Sequence, residues 1–91
     1  MNEHFEISQH AQEQLDERLI PPGILDSVLR SPEQIVSERG GRKAYQSLVN
    51  LGGRAFLVRA IVDPGFDPPL VVTVYRTTRI SKYWRPNESN L

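Results

Sequence analysis

The 91-residue chain has no cysteine, one methionine, one tryptophan and few aromatics. The missing thiols exclude disulfides, thiolate catalysis and cysteine-ligated metals. No apolar run approaches the length that crosses a bilayer, and the amino end MNEHFEISQHAQ lacks the basic and apolar regions of a signal peptide. A cytoplasmic location without membrane attachment is the expectation. The two histidines, His4 and His10, are six residues apart and no His pair stands at i, i+4, so neither a metal nor another cofactor is expected. The diglycines in RGGR and LGGR do not lie between a strand and a helix, which reads as hairpin turns rather than phosphate cradles. No nucleophile elbow is present.

Acid is also missing from one particular place. The stretch TVYRTTRISKYWR, residues 73–85, holds four bases and three aromatics and no carboxylate. The zero net charge therefore hides an asymmetry. Residues 1–38 carry eight acids and two bases, net −6, and residues 39–91 carry nine bases and three acids, net +6. Such a division points to an anionic partner or to two layers that attract one another.

A chain this short forms one domain, 1–91, with a core over 7–85 and a frayed tail at 86–91. After an extended lead-in, Ser8 is a good N-cap for a first helix with Ala11, Leu15 and Leu19 as its apolar stripe. IPPGI ends that helix, and Pro22 opens a second one whose core face is Ile24, Leu25, Val28 and Leu29. QIVSE, KAYQSLVNL, RAFLVRAIVD and LVVTVYRT then read as four strands. The order predicts an α+β fold, with two N-terminal helices packed on one face of a four-stranded, mainly antiparallel sheet.

Strand alternation assigns the faces. Phe56, Val58, Ala60 and Val62, with Leu70, Val72 and Val74, belong under the helices. Arg59 and Ile61, with Val71, Thr73, Tyr75 and Thr77, belong to the open face. An arginine and a tyrosine there can contact phosphate and stack on a base, or they can serve as an acid's partner and an apolar cover. Residues 79–85 read as a basic aromatic tail. On the first helix His10, Gln14 and Arg18 share a face. Imidazole titrates near neutrality and suits proton transfer, although a surface histidine near a helix start fits equally.

The segment ISQHAQEQLDERLIPPGILDSVLRSPEQIV, followed by strands closing on Thr-Val-Tyr, resembles a widespread bacterial family catalogued as domain of unknown function 4258. His10, Ala11, Arg18, Ile24, Val28, Pro32, Tyr45, Arg54, Val58, Thr73, Val74 and Tyr75 fit its pattern. Gln14 departs from it, standing where a basic residue is frequent. That layout is similar to the RelE-type and barnase/EndoU-type ribonucleases, some of which are toxins paired with an antitoxin. The resemblance implies a metal-independent endoribonuclease in which His10 serves as base or acid. Arg59 and Arg76 would stabilise charge, and Thr73 and Tyr75 would position phosphate. Arg18, Arg79, Lys82 and Trp84 complete the expected RNA contacts. The alternative is a non-catalytic module that docks RNA, a cognate antitoxin or another acidic protein, with no oligomeric state implied.

Overall fold

The computed structural model describes residues 4–86; most of the tail expected to fray, 87–91, lies outside them. The fold is α+β, built on a five-stranded sheet in the order β1-β5-β4-β3-β2. The expected strands are β2 (Gln34–Ser37), β3 (Lys43–Leu51), β4 (Arg54–Asp63) and β5 (Leu70–Thr77), and they form an antiparallel meander. The fifth strand comes from the lead-in. β1 (Glu6–Ile7) pairs in parallel with Leu70 and Val71 of β5 and makes the sheet mixed.

Helix α1 (Gln9–Glu17) starts where its cap predicts, with the Ser8 hydroxyl accepting the Ala11 N–H at 3.0 Å. Its end differs from expectation. The Leu19 N–H donates to the Asp16 carbonyl and the Ile20 N–H to the Leu15 carbonyl, a Schellman closure that needs a left-handed residue between them. Leu19 fills that position at φ 53° and is expelled to 71% exposure, while Ile20 takes its place in the core. Helix α2 (Pro22–Arg30) has proline in its first turn and buries Leu25, Val28 and Leu29. Both helices pack on one sheet face, against Val58, Ala60, Val62, Val71 and Val74.

The β3–β4 turn is Gly52–Gly53, with φ of 62° and 82° at the two central residues and Leu51 paired with Arg54. Positive φ at both sites is the two-residue I′ geometry whose twist suits a hairpin. The β4–β5 ladder slips at Ile61/Val62, where Ile61 pairs with Thr73 and Val62 with Val71. This bulge reverses the expected facing of two residues. Val71 joins the helix-side core, and Val72 joins Val36, Ala44, Ile61 and Tyr75 on the other face.

That second face is not open. Residues 79–85 turn back across it, with Ile80–Tyr83 forming a short helix, α3. The basic aromatic tail is thus a cover rather than a projecting end.

Candidate functional site

The polar centre of the covered face is one cross-strand row. Gln34 of β2 pairs with Gln46 of β3, Gln46 with Arg59 of β4, and Arg59 with Tyr75 of β5. Residues in register across neighbouring strands stand close enough to bond side chain to side chain, and here each does. Arg59 Nε donates to Gln46 Oε1 at 2.7 Å, and Gln46 Nε2 donates to Gln34 Oε1 at 2.8 Å. A second Arg59 nitrogen donates to the Tyr75 hydroxyl oxygen. The third reaches Glu38, just beyond β2, at 2.6 Å.

The cover is tied to the same row. Gln46 Nε2 donates to the Tyr83 carbonyl at 3.2 Å. Gln34 Nε2 donates to the Arg85 carbonyl at 2.6 Å and its Oε1 accepts the Arg85 N–H at 3.1 Å. The Tyr83 ring centre lies 4.3 Å from the Arg59 guanidinium carbon and 6.1 Å from the Tyr75 ring, edge to face. Arg59 is left 1% exposed with all three nitrogens engaged. Its charge is balanced by Glu38, whose side chain is 29% exposed.

The two tyrosines titrate in opposite directions. Burial raises Tyr75 above the usual phenol range, against the pull of Arg59. Tyr83 is lowered, first by a hydrogen bond with Lys82 and then by Tyr75 and the nearby cations. Neighbouring groups driven apart in this way are what proton transfer between an acid and a base requires.

The remaining expected site residues divide. Arg18 joins the edge of the cluster: its guanidinium lies 6.0 Å from the Tyr75 ring and donates to the Val74 carbonyl at 3.5 Å. Thr73 turns its hydroxyl to Gln14 Oε1, which also accepts the Val74 N–H at 2.9 Å. Gln14 is buried and serves the backbone of β5 beyond the short β1. Arg76 pairs opposite Val58 on the helix side and stacks on Phe56 at 4.5 Å, so it does not share a face with Arg59. Arg79 precedes α3 and is exposed; Lys82 is exposed with Nζ 5.1 Å from the Tyr83 ring; Trp84 is half-buried. His10 is exposed on α1, one turn before Gln14. Among the described residues, no hydrogen bond, ion pair or ring contact joins it to Arg59, Thr73 or Tyr75.

Sequence reasoning missed Glu38, Gln34, Gln46 and Tyr83. One signal for Gln46 is present in the chain. A two-residue turn at Gly52–Gly53 forces position 46 opposite position 59, which places a glutamine beside the arginine.

Neither curated proteins nor solved structures supply a match to this chain. The family described as Domain of unknown function (DUF4258) matches residues 7–76. That span takes in the helices, the meander and three of the four residues of the polar row outright, with Tyr75 at its last turn of strand, and the chain belongs to this family.

Proposed function

We propose that the chain is a metal-independent endoribonuclease of the RelE/barnase-like type, acting in the cytoplasm, with its reacting centre at Glu38, Arg59, Tyr75 and Tyr83. The observation that carries the reading is the single guanidinium shared by a carboxylate and a tyrosine hydroxyl beneath a second tyrosine. A buried ion pair is a weak way to stabilise a fold, since apolar residues of similar volume do as well or better. Clustered ionisable groups with displaced titration are a mark of reacting sites. The cover is thin: α3 spans four residues and buries none of them fully.

The chemistry follows from the groups. With α3 displaced, the Glu38 carboxylate removes the proton of a ribose 2′-hydroxyl. The 2′-oxygen bonds to phosphorus, the bond to the 5′-oxygen breaks, and the Tyr83 hydroxyl protonates that leaving oxygen. The products are a 2′,3′-cyclic phosphate and a 5′-hydroxyl. Arg59 stabilises the charge on the phosphorane and Tyr75 positions the phosphate. Arg18, Arg79 and Lys82 attract the backbone and Trp84 offers a stacking surface. His10 lies apart from these groups, so this reading moves the proton transfers to Glu38 and Tyr83.

A second reading rests on a different observation, the complete engagement of a 1% exposed Arg59. In it the row is scaffolding, and the exposed Arg18, Arg79, Lys82 and Arg85 dock RNA or an acidic protein such as a cognate antitoxin without catalysis. Incubating the folded chain with RNA in EDTA separates the two. Cleavage lost in Glu38→Gln supports the first; salt-sensitive binding with intact RNA supports the second.

A further inference from the structure

On the opposite side of the molecule, β1, α1 and α2 enclose a groove of about 480 Å³. Its walls are Phe5, Ile7, Leu15, Leu25 and Leu29, and the charged residues that line it are both acids, Glu6 and Asp26. A concave, largely apolar site of a few hundred Å³ with few polar groups has the form of a small-ligand pocket.

Asp26 supplies the specific feature. Its Oδ2 accepts from Arg30 Nε at 2.8 Å. Its Oδ1 is shut off from solvent and has no hydrogen-bond partner. A buried carboxylate oxygen without a donor is costly, and such orphans in folded proteins call for an explanation. A donor brought by a ligand satisfies it, and a cation does so most strongly, because charge-assisted hydrogen bonds are the strong ones. The apolar walls then take the body of the ligand.

We propose that this groove binds a small organic cation, a primary amine on an alkyl or aryl body, with its ammonium on Asp26 Oδ1 and its apolar part against Leu15, Leu25 and Leu29. The site is independent of the polar row on the other face of the sheet.

The test is an amide-shift titration of the full ¹⁵N-labelled chain with phenethylammonium, 2-phenylethanol and 3-phenylpropionate. The three probes have similar apolar bodies and differ in charge. The expected result is saturable shifts in α1 and α2 with phenethylammonium, at an affinity about tenfold above that of the alcohol, and no binding of the carboxylate. Asp26→Asn removes the advantage of the ammonium; the exposed Asp26–Arg30 pair contributes little to folding, so this variant stays folded. Equal affinity for ammonium and alcohol overturns the proposal, as does an absence of shifts in α1 and α2 or an ammonium preference that survives in Asp26→Asn. The comparison of probes on the unaltered chain decides the matter without the variant.

Discussion

The guanidinium carbon of Arg59 lies 4.3 Å from the centre of the Tyr83 ring, which brings a cation from the middle of the sheet under an aromatic from the end of the described chain. Contact at this distance is a cation–π interaction with both partners withdrawn from water on the facing side. It joins sheet and cover into one unit.

Glu38 neutralises Arg59, and Arg59 has no route to solvent. Glu38→Ala leaves a buried guanidinium without its counter-charge and is expected to cost about 2–4 kcal/mol in urea unfolding, the lower end reflecting the partial exposure of Glu38. The double change Glu38→Leu with Arg59→Met is expected to restore most of that loss, since it removes both charges. A loss below about 0.5 kcal/mol in Glu38→Ala, the size of an ordinary surface pair, contradicts the buried-pair account.

Trp84, the one tryptophan, reports on the cover. Gln34 holds the backbone of the next residue, Arg85, through two hydrogen bonds. Gln34→Ala is expected to red-shift Trp84 emission and raise its quenching by acrylamide, with the far-ultraviolet circular dichroism unchanged. Unaltered emission means that the segment is held by other contacts.

Tyrosinate absorbance across an alkaline titration should resolve an early phase from Tyr83 and a late one from Tyr75, on either side of the usual value of about 10. The effects on stability have opposite signs. Tyr75 is raised in the folded state, so the unfolded chain ionises first and stability falls once pH passes about 10. Tyr83 is lowered, so its ionisation favours the folded state as pH rises through the lowered value. Tyr83→Phe removes the favourable contribution, and its stability is expected to fall more steeply with pH above about 10 than that of the parent. A shallower fall contradicts the assignment.

Leu19 holds a left-handed conformation at φ 53° with its side chain in solvent. Left-handed backbone costs a residue with a Cβ about 1–2 kcal/mol, and glycine avoids that cost at the expense of a more flexible unfolded chain. Leu19→Gly is expected to stabilise the protein by up to about 1 kcal/mol in thermal unfolding. Destabilisation shows that the Leu19 side chain makes a contribution that outweighs the strain.

Much of the fold is written in local signals. The Ser8 cap, Pro22 at the start of α2 and the diglycine hairpin each act within a few residues, and each is found where the pattern puts it. The departures come from long-range choices. Alternation from Leu70 to Val74 cannot anticipate a bulge, because the slip depends on what β4 presents opposite. The stripe Ala11, Leu15, Leu19 is sound as periodicity, yet the Schellman closure spends Leu19 on the turn and moves Ile20 inward. β1 has only two residues, too few to show a period. The return of residues 79–85 across the sheet is set by hydrogen bonds from Gln34 and Gln46 to backbone atoms, and side chains making bonds to distant backbone leave no trace in composition.

The same division holds at the site. Arg59 and Tyr75 were legible as a pair because alternation puts them on one face. Glu38 was not, since it reaches Arg59 from just beyond the end of β2. Gln14 read as a missing phosphate contact, whereas the fold uses its carbonyl oxygen to satisfy the Val74 N–H and the Thr73 hydroxyl at the edge of β5.

The most direct test of the central claim is cleavage of a defined RNA by the full chain in EDTA, beside the same strand with one 2′-deoxy residue at the scissile position. The account predicts a 2′,3′-cyclic phosphate and a 5′-hydroxyl from the RNA, no cut at the deoxy position, and at least about a hundredfold loss of rate in Glu38→Gln that remains folded. RNA left intact by the folded parent chain, or cleavage unaffected by Glu38→Gln, contradicts it.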